Sequence, residues 1–486
     1  MSKRERDSME RRTSGVLFIL FIFLVFIPGG ASGQDDELLK HPRDMKFPPL
    51  SFQPPKAARA VLSNGMVVYL LENPELPLIR VSALIRTGSI QDPSGKSGLA
   101  RVTAAVMRNG GAEGRPFKEI NETLENLAAE VEFSMEMESG SGFLFARKQD
   151  FSKVLPIFAD LLMWPAFDSG QLDLAKKAEI EAIRRQNDNP EEIAYREFRR
   201  ALYRGNPRGR ISTVESIEKI QREDLIVFHR KYFHPTTVYL GVSGDFKKAE
   251  MIAALEKTFG SWNRSLVEIP FIDFPSPQET KSVYYAPKAI PASTILLGHL
   301  SLPQNHPDYF PFKVLNFILG GGGFNSRLTQ EIRSNRGLAY NVGSFYSGRV
   351  GYGVFGALCQ TQAATTHKAI SLLYEIIGGM KQNPPNAEEV EWAKNTLINQ
   401  FIFSFSSSTA IVGQQMRLEY EGLPEDYLEK YEENLADVTA ADLERAARDH
   451  LQPEKSILVV VGKEEDFEKP LSSFGTVNRI ELKPAP

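Results

Sequence analysis

The chain has 486 residues, of which 42% are hydrophobic and 24% charged, with 36 Gly and 30 Pro. This is ordinary globular composition, which excludes a collagen-like or low-complexity chain and supplies enough apolar mass for sizeable cores. A formal net charge of −4 offers no basic field for nucleic acid, and the single cysteine, Cys359, excludes an intrachain disulfide and any Cys-cluster metal site.

Residues 1–33 read as a secretory signal. Lys3, Arg4, Arg6, Arg11 and Arg12 precede an apolar run at 16–27, which Pro28, Gly29 and Gly30 break before the small residues Ala31-Ser32-Gly33. The run is 12 residues long, short of the roughly 20 that a membrane-spanning helix needs. The expectation is an exported protein, periplasmic first and extracellular second, with no membrane segment after signal removal; the alternative is an uncleaved signal anchor.

An N-terminal extension, 34–54, follows. Strands are predicted at 66–71 and 79–86 and a helix at 98–107. Val131, Phe133, Met135 and Met137 alternate with other residues, the period of a half-buried strand, whereas Val154, Leu155, Phe158, Leu161 and Leu162 have helical spacing. The basic stretch REFRRALYRGNPRGR, 196–210, reads as a solvated helix face and turn. A helix beginning near Asp224-Leu225 must stop before Pro235, and a buried strand, 238–242, ends at Gly244. The Pro-bearing stretch 269–281 is a linker. Beyond it come a strand at 294–297, a helix at 312–319, a helix near Asp442-Leu443 that stops before Pro453, and a strand at 457–461. The tail after Phe467 is expected to be partly disordered.

Residues 216–244 and 434–462 align without a gap at a constant offset of 218. Asp224-Leu225 matches Asp442-Leu443, Arg230 matches Arg448, Pro235 matches Pro453 and Gly244 matches Gly462. Such a repeat means one structural unit used twice. The predicted fold class is therefore α+β, in two homologous halves of sheet packed with helices. The boundaries are 55–258 for the first half, 259–285 for the linker, 286–468 for the second half and 469–486 for the tail.

With SGLARVTAAVMRNGG at 97–111, AEIEAIRRQNDNP at 178–190, LGGGGFNSRLTQEIRSNRGLAY at 319–340 and the twofold repeat, the chain resembles the M16 (pitrilysin-like) zinc peptidases over about residues 55–465. The resemblance implies two α+β halves enclosing a peptide-sized chamber. It also implies a zinc motif, HxxEH, in which two His one helical turn apart bind the metal, the Glu acts as base and a distal Glu completes the metal shell. This chain has Arg101, Ala104 and Ala105 at the first ligand, base and second ligand. Only the distal position keeps its residue type, Glu181, 76 residues after Ala105. Alanine has no donor atom and arginine is a fixed cation, so no metal or other cofactor is expected in this chain. Glu181 alone reads as a solvated charge beside Glu179 and Arg184.

None of the seven histidines, His41, His229, His234, His299, His306, His367 and His450, has an i,i+4 partner. His229 and His234 read as surface residues, and Cys359 as a small strand residue. The four glycines 320–323 read as a tight turn, with Asn325 or Ser326 capping a helix in which Leu328 and Ile332 share a face and which Gly337 ends. In that stretch Arg333 and Tyr340 match the family's Arg/Tyr pair, which the resemblance implies grips the substrate backbone and stabilises its carbonyl oxygen as charge develops.

By that resemblance the chain is expected to be a zinc-free pseudo-peptidase subunit. It would form a heterodimer with an HxxEH-bearing paralogue that supplies the zinc, and together they would cleave peptides or unfolded proteins. The rival is a catalytically dead peptide-binding or scaffold protein of the same fold.

Overall fold

The computed structural model describes residues 52–263 and 269–482. The expected signal, 1–33, and the extension up to residue 51 lie outside the described residues. No helix among the described residues is long and apolar enough to cross a membrane.

The first half forms strands β1 (Ala58–Val61), β2 (Val67–Glu72), β3 (Leu78–Ile85), β4 (Glu130–Met135), β5 (Gly140–Arg147) and β6 (Val238–Gly244). Its helices are α1 (Leu99–Asn109), α2 (Phe117–Leu127), α3 (Phe151–Met163), α4 (Ser169–Arg185), α5 (Pro190–Leu202), α6 (Val214–Glu218), α7 (Arg222–Tyr232) and α8 (Lys248–Phe259). The second half forms β7 (Ser282–Pro287), β8 (Ala292–Ser301), β9 (Ala339–Gly348), β10 (Gly353–Gln362), β11 (Ile457–Gly462) and β12 (Val477–Arg479). Its helices are α9 (Tyr309–Asn316), α10 (Thr366–Gly379), α11 (Ala387–Phe403), α12 (Ser408–Glu421), α13 (Tyr431–Ala436) and α14 (Ala440–His450).

The two sheets run β1-β2-β6-β3-β5-β4 and β12-β7-β11-β8-β10-β9. Position by position they have the same order from the second strand onward, as the 218-residue repeat requires. The outer strands break the symmetry. β1 lies antiparallel to β2, whereas β12 comes from the C-terminal tail and lies parallel to β7. The tail expected to be partly disordered includes a short strand: Val477 pairs beside Val283, and Ile480 N–H donates to the Tyr285 carbonyl.

β6 and β11 are buried along their whole length. A continuously apolar strand of this kind must be covered on both faces. The helices of each half cover one face, and the other is covered by an exchange. α5, from the first half, packs on β8 and β11 of the second sheet, placing Ile193, Phe198, Ala201 and Leu202 against Leu296, Ile457, Val459 and Val461. α12, from the second half, packs on β2 and β6 of the first sheet, placing Val412 and Met416 against Tyr69 and Tyr239. The two helices lie 218 residues apart and are repeat equivalents.

Each exchanged helix crosses its sheet over a glycine. A Cβ on Gly298 would lie 2.3 Å from the Phe355 carbonyl oxygen and 2.8 Å from Phe198. A Cβ on Gly241 would lie 2.3 Å from both Met416 and Val412. Polar contacts reinforce the exchange: Glu419 of α12 accepts two 2.8 Å hydrogen bonds from Arg59 on β1, and Glu138 accepts from Arg208, at 2.7 Å, and from Tyr352.

The stretch 196–210 is therefore not a solvated face. Its apolar residues form the contact between α5 and the second sheet, and Arg208 is only 5% exposed, paired with Glu138 and held over the rings of Tyr352 and Phe274.

Candidate functional site

α1 begins where the Asp92 carboxylate accepts from the backbone N–H groups of Gly98 (2.7 Å) and Ala100 (2.9 Å). Burial raises the Asp92 pKa to about 6, against those same hydrogen bonds. Arg101 follows on the exposed side of the first turn and Ala105 lies one turn on, while Ala104 is buried in the first-half core. The Arg101 guanidinium reaches Glu179 on α4 at 2.9 Å and the Ser212 hydroxyl at 3.0 Å.

Glu181, also on α4, lies two residues beyond Glu179 and so points to another side of the helix. It is exposed and pairs with Arg184 at 2.7 Å. Of the four zinc positions, then, one holds a cation already matched to a carboxylate, two hold methyl groups, and the fourth turns to solvent. These residues do not fit zinc, which needs three or four converging N, O or S donors.

The Arg333 segment forms as short helical turns with wide, π-type hydrogen bonding over Thr329–Asn335. Leu328 and Ile332 are fully buried on one face. Gly337 ends the segment at φ +61°, a left-handed conformation that favours glycine, with its N–H donating to the Arg333 carbonyl. Ser326 stands directly before the helix, its carbonyl accepting from Gln330 N–H at 2.9 Å, while its hydroxyl donates to the Gly323 carbonyl at 2.7 Å and closes the glycine turn.

Arg333 lies 4.9 Å above the ring of the exposed Phe324, and Tyr340, on the edge strand β9, is 82% exposed. Among the described residues no hydrogen bond or ion pair joins Arg333 or Tyr340 to the Arg101 region. Tyr340 is presented to solvent, whereas Arg333 is half-buried with its guanidinium over the Phe324 ring.

His229 is not a surface residue. It is 7% exposed and its Nε2 bonds the Leu162 carbonyl at 2.9 Å; burial lowers its pKa to about 4. His234 is partly buried, and burial lowers its pKa also. Cys359 is a fully buried strand residue whose thiol burial pushes up to about 12, which leaves it inert.

Among the described residues one group could bring three metal ligands together: His306, Asp308 and His450, with ligand atoms within 4.8 Å of one another. It lies in the second half. Its carboxylate already accepts two hydrogen bonds from Arg445, at 2.7 and 3.0 Å, and one from His450 at 2.8 Å. Burial alone would raise the Asp308 pKa, but these donors outweigh burial and hold it below the usual carboxylate range. A fixed guanidinium on the same carboxylate competes with any metal cation. The sequence signal for this group was weak, because His306 and His450 lie far apart in the chain. A cleft of about 560 Å³ between Trp164, Phe233 and Trp262 contains none of the predicted site residues.

Residues 67–213 match the family described as Insulinase (Peptidase family M16), and residues 219–397 match Peptidase M16 inactive domain. The chain belongs to the M16 peptidase family. A crystal structure of a peptidase M16 inactive domain from Pseudomonas fluorescens superposes with a TM-score of 0.79 at 25% identity, covering 86% of this chain and 100% of that one. An uncharacterized zinc protease, YmxG, of Bacillus subtilis is 23% identical over 80% of this chain and 93% of its own. A Helicobacter pylori relative described as a non-peptidase homolog is 24% identical over 73% of this chain and 82% of its own. M16 relatives also include proteins named as subunits of mitochondrial processing peptidase: β in Schizosaccharomyces pombe, 21% identical over 74% of this chain and 82% of its own, and α in Pongo abelii, 24% identical over 73% of each.

Proposed function

We propose that this chain is an exported, zinc-free M16 subunit that lends Arg333 and Tyr340 to a peptidase site completed by an HxxEH-bearing M16 partner. The observation that carries the reading is an asymmetry between the two motifs. The zinc positions hold Arg101, Ala104 and Ala105, with Arg101 bound to Glu179. The Arg/Tyr motif is complete, with Tyr340 82% exposed and Arg333 half-buried beside Phe324. An exposed phenol and a guanidinium on a short rigid segment can donate hydrogen bonds to a developing oxyanion, whichever chain holds the metal. That M16 relatives are named as α and β subunits of mitochondrial processing peptidase supports a partner of this kind.

The test is co-expression with an HxxEH-bearing M16 chain from the same organism, followed by gel filtration and a peptide-cleavage assay. A 1:1 complex is expected, active only as the pair and losing most of its turnover on Tyr340→Phe. Separate elution with no mutual effect on cleavage would refute the reading.

A further inference from the structure

The place where the family puts a cation is lined here by cations. A cavity of about 280 Å³ opens beside the start of α1, and its walls include Arg101, Arg196, Arg199 and Arg210 together with Asp92 and Glu179. Among the described residues three of the four guanidiniums make short hydrogen bonds or ion pairs. Arg101 reaches Glu179 at 2.9 Å. Arg196 donates to Glu197 (3.0 Å), to the Gln186 carbonyl (2.6 Å) and to Asn187 (2.9 Å). Arg210 donates to the Asp92 carbonyl at 2.6 Å. The Asp92 carboxylate is occupied by the backbone of α1, and Glu136, on the rim, is exposed and bonds none of the four.

Arg199 is the exception. Among the described residues its one hydrogen bond is a long one, 3.4 Å from Nη2 to the Arg210 carbonyl, and its Nε–H is buried without a partner. Burial, with Arg101 and Arg196 close by, lowers its pKa, the sign of a cation lacking its counter-charge. Buried guanidinium N–H groups are rarely left unpaired in a native protein, and the fork of a guanidinium matches the two oxygens of a carboxylate. The rest of the cavity wall includes Met135, Met137 and Ile183. A free inorganic anion would place nothing against that apolar surface, whereas the carbon stem of an amino-acid residue would cover it.

We propose that this cavity is a binding site for the carboxylate of a peptide chain, held by Arg199 in the place of a metal site. The proposal goes beyond the subunit reading and holds whether or not a partner chain exists.

The purified chain is titrated calorimetrically at low salt with three hexapeptides. One is acetylated and amidated with a single internal Glu; the second has Gln in its place; the third is the Gln peptide with a free C-terminus. At least tenfold tighter binding of a carboxylate-bearing peptide over the amidated Gln peptide is expected, and which of the two binds identifies a side-chain or a C-terminal carboxylate. Arg199→Gln should erase the preference while leaving the circular dichroism spectrum and Tm unchanged. Arg199→Lys, which keeps the charge but not the fork, should weaken it several-fold. Equal binding of all three peptides, a preference that survives in folded Arg199→Gln, or displacement by inorganic phosphate with no discrimination among the peptides would each overturn the proposal. If Arg199→Gln does not fold, the wild-type comparison of Glu and Gln peptides still decides it.

Discussion

Tyr340 and Arg333 contribute little to holding the chain together. Tyr340 is 82% exposed, and Arg333 makes an exposed cation–π contact with Phe324, worth about 0.5–1 kcal/mol. Tyr340→Phe should therefore leave stability within about 0.5 kcal/mol of wild type, and Arg333→Ala within about 1 kcal/mol, by urea unfolding. Losing an oxyanion donor typically costs about a hundredfold to a thousandfold in turnover, so the same changes should appear in kcat of the assembled pair. Near-wild-type kcat in an assembled double variant would return both residues to a purely structural role. The buried histidines act in the opposite sense, on stability. His299 Nδ1 bonds the Leu300 carbonyl at 2.8 Å while its Nε2 accepts from Gln452 N–H at 3.1 Å, so the neutral ring fits and the protonated one loses a bond. Burial sets the folded pKa of both His229 and His299 at about 4. The unfolded chain protonates each near 6.5, so it binds more protons than the folded chain between those values. The histidine contribution is fully present above about pH 6.5 and is lost on acidification through that window; Asp92, whose folded pKa of about 6 lies above its unfolded value, offsets part of it, so stability should fall by about 1 kcal/mol per pH unit. A flat urea midpoint between pH 6.5 and 4.5 would contradict this.

At the level of elements, the exchange of α5 and α12 is the feature most open to test. Phe198 is 3% exposed and packs α5 on the second sheet, so Phe198→Ala should cost about 3–5 kcal/mol. The glycines beneath the two helices should respond unequally. At Gly298 an added methyl meets the Phe355 backbone oxygen, which cannot move aside, whereas at Gly241 it meets the side chains of Val412 and Met416, which can. Gly298→Ala should therefore destabilise more than Gly241→Ala, with overpacking costs of about 1–3 kcal/mol. Chemical denaturation of the two variants side by side checks the order; a larger loss at Gly241 would mean that α12, not α5, is the tighter of the two.

For the whole molecule, the exchange predicts that the two halves unfold together. Each sheet has one face covered by a helix from the other half, so separating the halves would expose the buried faces of β6 and β11 at once. A single calorimetric transition is expected, and two resolved transitions would show that the exchanged helices add little. The donor set at Arg101, Ala104, Ala105 and Glu181 predicts no stoichiometric zinc in the purified chain. Elemental analysis of tag-free protein settles this; if metal is found and His450→Ala removes it, the zinc belongs to the His306–Asp308–His450 group instead.

The sequence by itself determined the repeat, the fold class and the absence of imidazole or carboxylate donors at 101, 104 and 105. Each is written locally: a gapless match of 216–244 with 434–462, alternating or continuous apolar strands, and residue types that either carry a donor atom or do not. The run Ile457–Val461 also showed that both faces of its strand must be covered, but not by which helix. That was decided by tertiary structure, because an amphipathic helix such as α5 carries no label for the sheet it will meet. For the same reason charge was misleading at 196–210, where guanidiniums that looked solvated are drawn into a cavity and an interface by the apolar residues between them. His229 was missed because its burial depends on its contact with Leu162, on a helix 67 positions away in the chain. The cavity around Arg199 was invisible for that reason too: Arg101 lies about a hundred positions before the 196–210 stretch that carries Arg199 and Arg210, and only tertiary packing brings the three charges to one cavity.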